Sequence, residues 1–387
     1  MTLAMADMTP LVDVNSSNSD MDGKSVPVID MSLDTAGPAI LRAFQTIGFA
    51  TLTNHGIGVT VIEQAFAASK SFFDLELAEK MQYKYQGPSS NRGYIPYQAE
   101  SHTNQQPPDR KETFDIGSER TEQTKDGYQN RWPTTATTTS SSSSTATATS
   151  SSSSSSSSSF QSTMMEYFDK FDSLHLCIMK MLAIELSLSD DEFFVKRSNS
   201  QHENLRLLHY PAVPRTQTGM IADQNKDSEE ECLVPRGNVH TDFGTITLLT
   251  QDGVGGLRVQ TLDGKWITVP PLHGSIIVNV GDMLQRWTND KLRATPHQVV
   301  EVSSSSPSLS SKTTPSVAGL KEKEDSDDKD DESMVPERYS IAFFCNANKD
   351  VLLECLPECL AKDTKPRYEP INAHEYLSMR LSATINA

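Results

Sequence analysis

Gly237–Gln251 reads GNVHTDFGTITLLTQ, and two of its residues, His240 and Asp242, stand two apart just ahead of a run of β-branched and leucine residues. In an extended chain, residues i and i+2 project to the same side. An imidazole and a carboxylate would therefore reach one point, and a metal ion is a candidate occupant. Taken alone, the pair is weak evidence for a metal and reads first as a hydrogen-bonded polar couple at a strand end. A third ligand changes the weighing: His297, in KLRATPHQVVEV, opens another apolar alternation far enough along for the chain to pass through two hairpins and return. Two imidazoles and one carboxylate on a triangular face leave three positions of an octahedral ion open. That arrangement suits Fe(II) accepting oxygen and a chelating co-substrate, whereas catalytic zinc more often takes three histidines or a closely spaced helical pair.

Working outward from this stretch, the second half of the chain is a series of short alternating segments separated by turn residues. LRLLHYP, TITLLTQ, LRVQTLDGKWITV with Asp263–Gly264 as its hairpin turn, SIIVNVGD, HQVVEV and RYSIAFFC are the candidate strands. The first half is mainly helical. VPVIDM alternates as a short strand, Pro38 opens AILRAFQTIG with Gly48 as its stop, and FATLTNHG is a strand and turn. Thr60 with Glu63 makes a capping box for VIEQAFAASKSFFDL, and MMEYFDKFDSLHLCIMKMLAIELSL is a third long helix. NAHEYLSMRLSATI is a closing helix capped at Asn372. Six or more short strands after a helical first half predict a β-sandwich or jelly roll supported by helices.

Several tracts do not fit a packed core. The expected layout is a disordered tail over residues 1–25, an N-terminal region over 26–132, a Ser/Thr-rich insert over 133–160 and a helix plus core over 161–387. The core itself spans about 201–347 and is interrupted by a Ser/Pro-rich and then acidic insert over 303–336, with a milder insert near 215–235. The formal net charge of −17 repels phosphate backbones and anionic lipid surfaces. The expectation is a small-molecule substrate, with neither nucleic acid nor membrane as partner. Five scattered cysteines without a C-x-x-C pair indicate neither a disulfide framework nor a structural zinc site. No apolar run approaches the roughly 20 residues of a membrane span, and the acidic N-terminus is unlike a targeting leader. A cytoplasmic monomer is the simple reading.

In RYSIAFF, Arg338 and Ser340 share one side of a core strand. A guanidinium on an apolar strand is costly unless a carboxylate meets it. Either an internal Arg–Asp salt bridge satisfies it, or guanidinium and hydroxyl together clamp the carboxylate of a ligand. DGVGG before Leu257 precedes a strand and is a tight turn rather than a phosphate loop, and the DFG in HTDFG has no accompanying kinase motif. His55 and His209 are expected as turn and core histidines. Asn204 and Arg206 share a face with Leu208 and Tyr210 and are candidate lining of a substrate pocket.

The order VPVIDMS, GFATLTNHG, RGYIPYQAES, KETFDIGSE, LLHYP, HTDFGTITLLTQD, GGLRVQ, TVPPLHGSIIVNVGDMLQRWTNDKLRATPHQV and RYSIAFF resembles the iron(II)- and 2-oxoglutarate-dependent dioxygenases of the isopenicillin N synthase-like family. The resemblance covers nearly all of the chain from Val26 to Ile385 apart from the inserts. It implies an α+β fold, with a double-stranded β-helix (jelly roll) core and N-terminal and flanking helices. It also implies His240, Asp242 and His297 as iron ligands, Arg338 and Ser340 as the holders of the distal carboxylate of 2-oxoglutarate, and Tyr210 as a further co-substrate contact. Fe(2+), 2-oxoglutarate and O2 are the implied cofactor and co-substrates, with ascorbate as an optional accessory. One departure stands out: in relatives the R-x-S pair follows the second histidine closely, whereas here Gln298–Glu337 intervenes.

The activity so implied is hydroxylation or desaturation of a small organic molecule with release of succinate and CO2. Two alternatives remain open at this level. One is an Fe(II) oxidase on the same scaffold that uses no 2-oxoglutarate, of the isopenicillin N synthase or aminocyclopropane-carboxylate oxidase type. The other is a jelly-roll binding module without turnover.

Overall fold

The computed structural model describes residues 25–87, 90–101, 106–119, 129–133, 159–199, 202–214, 234–302, 334–360, 362 and 364–384. The tracts expected as tail and inserts fall at 1–24, 134–158, 215–233 and 303–333, outside the described residues. Their expected edges shift where neighbouring structure begins. Phe160, assigned to the Ser/Thr tract from sequence, is the first residue of the helix Phe160–Glu185, because Ser159 Oγ accepts a hydrogen bond from the Ser162 N–H and caps it. Met334–Val335, assigned to the acidic tract, forms a short strand.

Two sheets make the core. The larger contains β1 (Val28–Asp30), β2 (Phe49–Thr53), β3 (Gly93–Ile95), β4 (Glu112–Gly117) and β5 (Asn204–Tyr210). After the short β6 (Val213–Pro214) and β7 (Pro235–His240) come β8 (Ile246–Gln251), β9 (Leu257–Gln260), β10 (Trp266–Thr268), β11 (Ile276–Val280) and β12 (His297–Val300). The last of the set are β13 (Met334–Val335) and β14 (Arg338–Phe344). The eight-stranded sheet runs β1-β2-β11-β8-β14-β5-β4-β3, and the four-stranded one β10-β9-β12-β7. Apart from the parallel β1–β2 pair, the pairings are antiparallel. The fold is the expected jelly roll with helices packed on its larger sheet.

The first half contributes more strand than its helical reading foresaw. β2 joins the jelly roll directly by pairing with β11, Ile276 opposite Leu52, and β4 pairs along its whole length with β5, from Glu112 opposite His209 to Gly117 opposite Asn204. These strands are buried on both faces, so their apolar runs lack the clean alternation that marks a half-exposed strand.

Helices cover the outer face of the large sheet. Phe160–Glu185 buries Tyr167, Phe168 and Phe171, with Phe168 edge-on to Phe343 of β14 at 4.9 Å and the Tyr167 hydroxyl 2.9 Å from Thr250 Oγ1 of β8. The helix Ala36–Thr46 begins ahead of Pro38 and ends as read, at Gly48, whose φ of +73° and closeness to the Arg293 carbonyl leave no room for a side chain. The helix Val59–Phe73 does not use the proposed Thr60 cap: Gly58 is its N-cap, and no side-chain hydrogen bond closes that end. The closing helix Ala373–Thr384 is capped as expected, Asn372 Oδ1 accepting from the N–H groups of His374 and Glu375 at 2.9 and 3.2 Å. Among the described residues, no helix is long and apolar enough to cross a membrane.

A second, smaller apolar cluster lies between the two sheets and includes Phe49, Tyr210, Val259, Ile277 and Val299. Two of its members touch polar residues singled out from sequence: Phe49 meets the His297 ring, and Tyr210 lies beside Arg338.

Candidate active site

His240 is the last residue of β7, and Asp242 lies in the turn before β8, so the pair straddles a strand end instead of opening a strand. β12 pairs with β7 so that His297 stands opposite His240. This register brings the three ligand-type side chains together. Asp242 Oδ1 is 3.8 Å from His240 Nε2 and 3.7 Å from His297 Nε2, and the imidazole centroids are 4.3 Å apart. Asp242 and His297 are buried, while His240 keeps partial access to the cavity.

The outer contacts fit these donors to a metal. His240 Nδ1 is 2.7 Å from the Asn238 carbonyl and His297 Nδ1 3.1 Å from the Thr295 carbonyl, so each ring places its proton on Nδ1 and its Nε2 lone pair toward Asp242. Asn279 Nδ2 donates to Asp242 Oδ2 at 2.7 Å, leaving Oδ1 on the histidine side. Phe49 packs edge-on to the His297 ring at 5.3 Å. Two neutral imidazoles and a carboxylate held this way suit a divalent transition ion and leave one face of it open. Gly244 makes the turn after Asp242 possible: a Cβ there would lie 2.0 Å from the Cys345 carbonyl.

Arg338 and Ser340 are both buried, 1% and 2% exposed. Arg338 Nη1 donates to Ser340 Oγ at 2.9 Å, Nε to the Gly255 carbonyl at 2.7 Å and Nη2 to Gln251 Oε1 at 3.2 Å. The DGVGG segment is thus the tight turn expected of it, and its carbonyl steadies the guanidinium. Among the described residues, no carboxylate lies within ion-pair distance of Arg338, so the internal salt bridge weighed from sequence does not form. Tyr210, at the end of β5, puts its ring 5.0 Å from the Arg338 guanidinium, and its hydroxyl lies over Gly237, where a Cβ would be 3.6 Å away.

A cavity of about 110 Å3 opens onto His240, Asp242 and Tyr210. Asn204 and Arg206 line it as proposed, but Arg206 is already engaged. Its Nε and Nη2 meet the two oxygens of Asp115 at 2.7 and 2.9 Å, and Nη1 meets Glu100 at 3.0 Å. Burial alone would lower the pKa of Arg206, but these carboxylates outweigh it and hold the group cationic. Asn204 Nδ2 also donates to Asp115, at 2.6 Å. Lys111 hydrogen-bonds Asp109 and lies 3.4 Å from Glu100, which offsets the lowering that its burial would cause. The apolar wall is made by Leu208, Phe243, Phe344 and, from the closing helix, Leu377 and Leu381.

His55 and His209 are not part of this group. His55 Nε2 is 2.9 Å from the Gly274 carbonyl, and His209 bonds Glu112 at 2.7 Å while stacking on Tyr339 at 4.5 Å. Sequence reasoning missed Asn279, Asp115, Glu100 and the closing-helix leucines. Asn279, a lone amide in the apolar run SIIVNV, carried a signal, as Arg338 did; the helix leucines carried none beyond ordinary amphipathicity.

Residues 26–135 match the family described as non-haem dioxygenase in morphine synthesis N-terminal, and residues 202–347 match the 2OG-Fe(II) oxygenase superfamily. A 2-oxoglutarate-dependent dioxygenase of Aspergillus rugulosus is 30% identical over 89% of this chain and 92% of its own length. A proline hydroxylase of Petromyces alliaceus is 33% identical over 89% of this chain and 92% of its own. Among solved structures, a full-length Neurospora crassa protein in complex with alpha-ketoglutarate and thymine superposes with a TM-score of 0.70 at 31% identity, covering 94% of this chain and 98% of that one.

Proposed function

Because this chain belongs to the 2OG-Fe(II) oxygenase superfamily, we propose that His240, Asp242 and His297 hold its ferrous ion and that Tyr210, Arg338 and Ser340 seat 2-oxoglutarate. The protein is an iron(II)- and 2-oxoglutarate-dependent dioxygenase. What carries the residue assignment is the convergence of two imidazole nitrogens and one carboxylate oxygen within 4.8 Å of one another, beside a cavity that Tyr210 also lines, with Arg338 against the Tyr210 ring. When bound, iron and 2-oxoglutarate supply the oxidation of a substrate C–H by O2, with release of succinate and CO2.

The chain's own residues bind and orient. The Asn238 and Thr295 carbonyls accept from Nδ1 of the two histidines, which leaves the Nε2 lone pair of each ring free to act as a ligand. Asn279 fixes the carboxylate of Asp242 and leaves one oxygen for the ion. The Ser340 hydroxyl accepts from Arg338 and can donate its own proton onward, so guanidinium and hydroxyl together present donors to one carboxylate. The inter-sheet cluster behind them excludes water, which strengthens every charge-assisted contact in front of it.

A cavity of this size, apolar on one wall and with its cations already paired on the other, supports a compact small organic substrate. The compactness of thymine, which the Neurospora crassa relative holds in its crystal structure, is in keeping with that reading. The net charge of −17 also favours a small molecule over nucleic acid or an anionic membrane. The test is a screen of compact organic compounds for stimulation of succinate formation by iron-loaded protein. Succinate that depends on oxygen and rises with a substrate supports the assignment. Substrate oxidation without succinate would move the protein to the oxidase reading.

A further inference from the structure

Arg236 lies on β7, four residues before His240, and is 2% exposed. The co-substrate reading gives it no role, yet its surroundings are those of Arg338. Its guanidinium lies 5.5 Å from the Tyr210 ring, against 5.0 Å for Arg338, so one tyrosine carries two guanidinium neighbours. Its Nη2 donates to the Pro211 carbonyl at 2.6 Å and its Nη1 to the Pro336 carbonyl at 2.8 Å. Pro211 directly follows Tyr210, and Pro336 stands two residues before Arg338. One side chain thus ties down the backbone beside both residues assigned to 2-oxoglutarate.

The place of this tie matters. Here the chain leaves for the long segment that separates His297 from Arg338, and it returns through β13, which pairs with β6 through Met334 opposite Pro214 and Val335 opposite Val213. The start of β14 must be held in register with the end of β5 after that long separation along the chain. Arg236 bonds to both sides of that junction. Its charge is also uncompensated at close range: among the described residues, no carboxylate lies within ion-pair distance of Arg236 or Arg338. Asp252 and Glu301 act on them only from further away, and the Asp252 carboxylate accepts the Tyr339 and Val254 N–H groups. The Arg236 Nε has no hydrogen-bond partner. Two buried guanidiniums facing one tyrosine, with no anion between them, make a site that calls for one.

We propose that Arg236 is a positioning residue for 2-oxoglutarate: it fixes Tyr210 and Arg338 through the Pro211 and Pro336 carbonyls and adds a second positive charge to the distal-carboxylate end of the site. This inference rests on the co-substrate assignment above. It makes the site select for a 2-oxo acid with a negatively charged far end more strongly than one arginine would.

The experiment compares two acids on full-length, iron-loaded protein under anaerobic conditions: 2-oxoglutarate, and 2-oxopentanoate, which has a methyl group where the distal carboxylate would be. The readout is the ratio of their affinities, which a general loss of structure does not move. Arg236→Gln lowers the preference for 2-oxoglutarate by about tenfold, the size of one charge-assisted contact, and Arg236→Lys restores most of it. An unchanged ratio in Arg236→Gln, with both acids weakened alike, overturns the proposal. Should that variant not fold, Arg338→Gln serves. A residual preference for 2-oxoglutarate in it supports a second cation, and a complete loss of preference overturns it. Failure of the co-substrate assignment itself would look different, because the unmodified protein would then bind neither acid in an iron-dependent way.

Discussion

Asn279 touches no ligand of the reaction, yet its amide decides which oxygen of Asp242 faces the histidines. Removing it frees the carboxylate to rotate and leaves a buried oxygen without its donor. Asn279→Ala is expected to weaken iron binding by about 10- to 100-fold while leaving the fold intact, checked by iron titration beside a thermal melt. Iron affinity unchanged in that variant would show that the carboxylate is oriented by other means. His175 gives a prediction of another kind. Burial holds its imidazole below the ordinary value, against the opposing pull of Asp172. The unfolded chain therefore takes up a proton below about pH 6.5 that the folded chain resists, and stability falls as the pH drops through that region. The thermal midpoint should decline on going from about pH 7.5 to about 5.5, and should decline less in His175→Gln. Parallel pH profiles for the two proteins would rule this out. Residues such as Arg338 and His297 were legible from sequence because a charge or imidazole in an apolar strand needs a partner. Asp115 and Glu100 were not, since an acidic residue in KETFDIG or YQAES has many ordinary surface explanations, and only the fold brings both to Arg206.

At the scale of elements, the helix Phe160–Glu185 backs the strands that carry the site. Phe168 meets Phe343 one strand-length from Arg338, and both rings are fully buried. Phe343→Ala is expected to cost about 3–5 kcal/mol of stability, read from denaturant unfolding, as such deletions in packed cores do. The helix start contributes less: Ser159→Ala removes one capping bond and is expected to cost about 1 kcal/mol. Most of the core strands were readable from β-branched runs and turn residues, and β7 was not. PRGNVH has one apolar residue in its interior, and its strand character comes from pairing with β12, a long-range partner that no local pattern announces. The helix Val59–Phe73 shows the converse error, a capping-box motif present in sequence and unused because the chain turns into the helix at Gly58.

At the scale of the whole molecule, the site is assembled from segments far apart in the chain, and the segment between Val302 and Met334 separates two of them along the sequence. Its two ends meet structure at β12 and at the β13–β6 pair, and closing a loop costs only logarithmically more as the loop lengthens. Replacing residues 303–333 with a short Gly/Ser linker is expected to leave iron-dependent 2-oxoglutarate turnover within about threefold. A loss of turnover with folding intact would assign the segment a direct part in catalysis. The central claim is that three side chains from β7, the following turn and β12 hold the iron on which 2-oxoglutarate turnover depends. Its most direct test is succinate formation from 2-oxoglutarate under oxygen by the unmodified protein and by Asp242→Ala, each with its iron content measured. The account predicts iron and succinate in the first and neither in the second. Succinate formed at an undiminished rate by Asp242→Ala would contradict it.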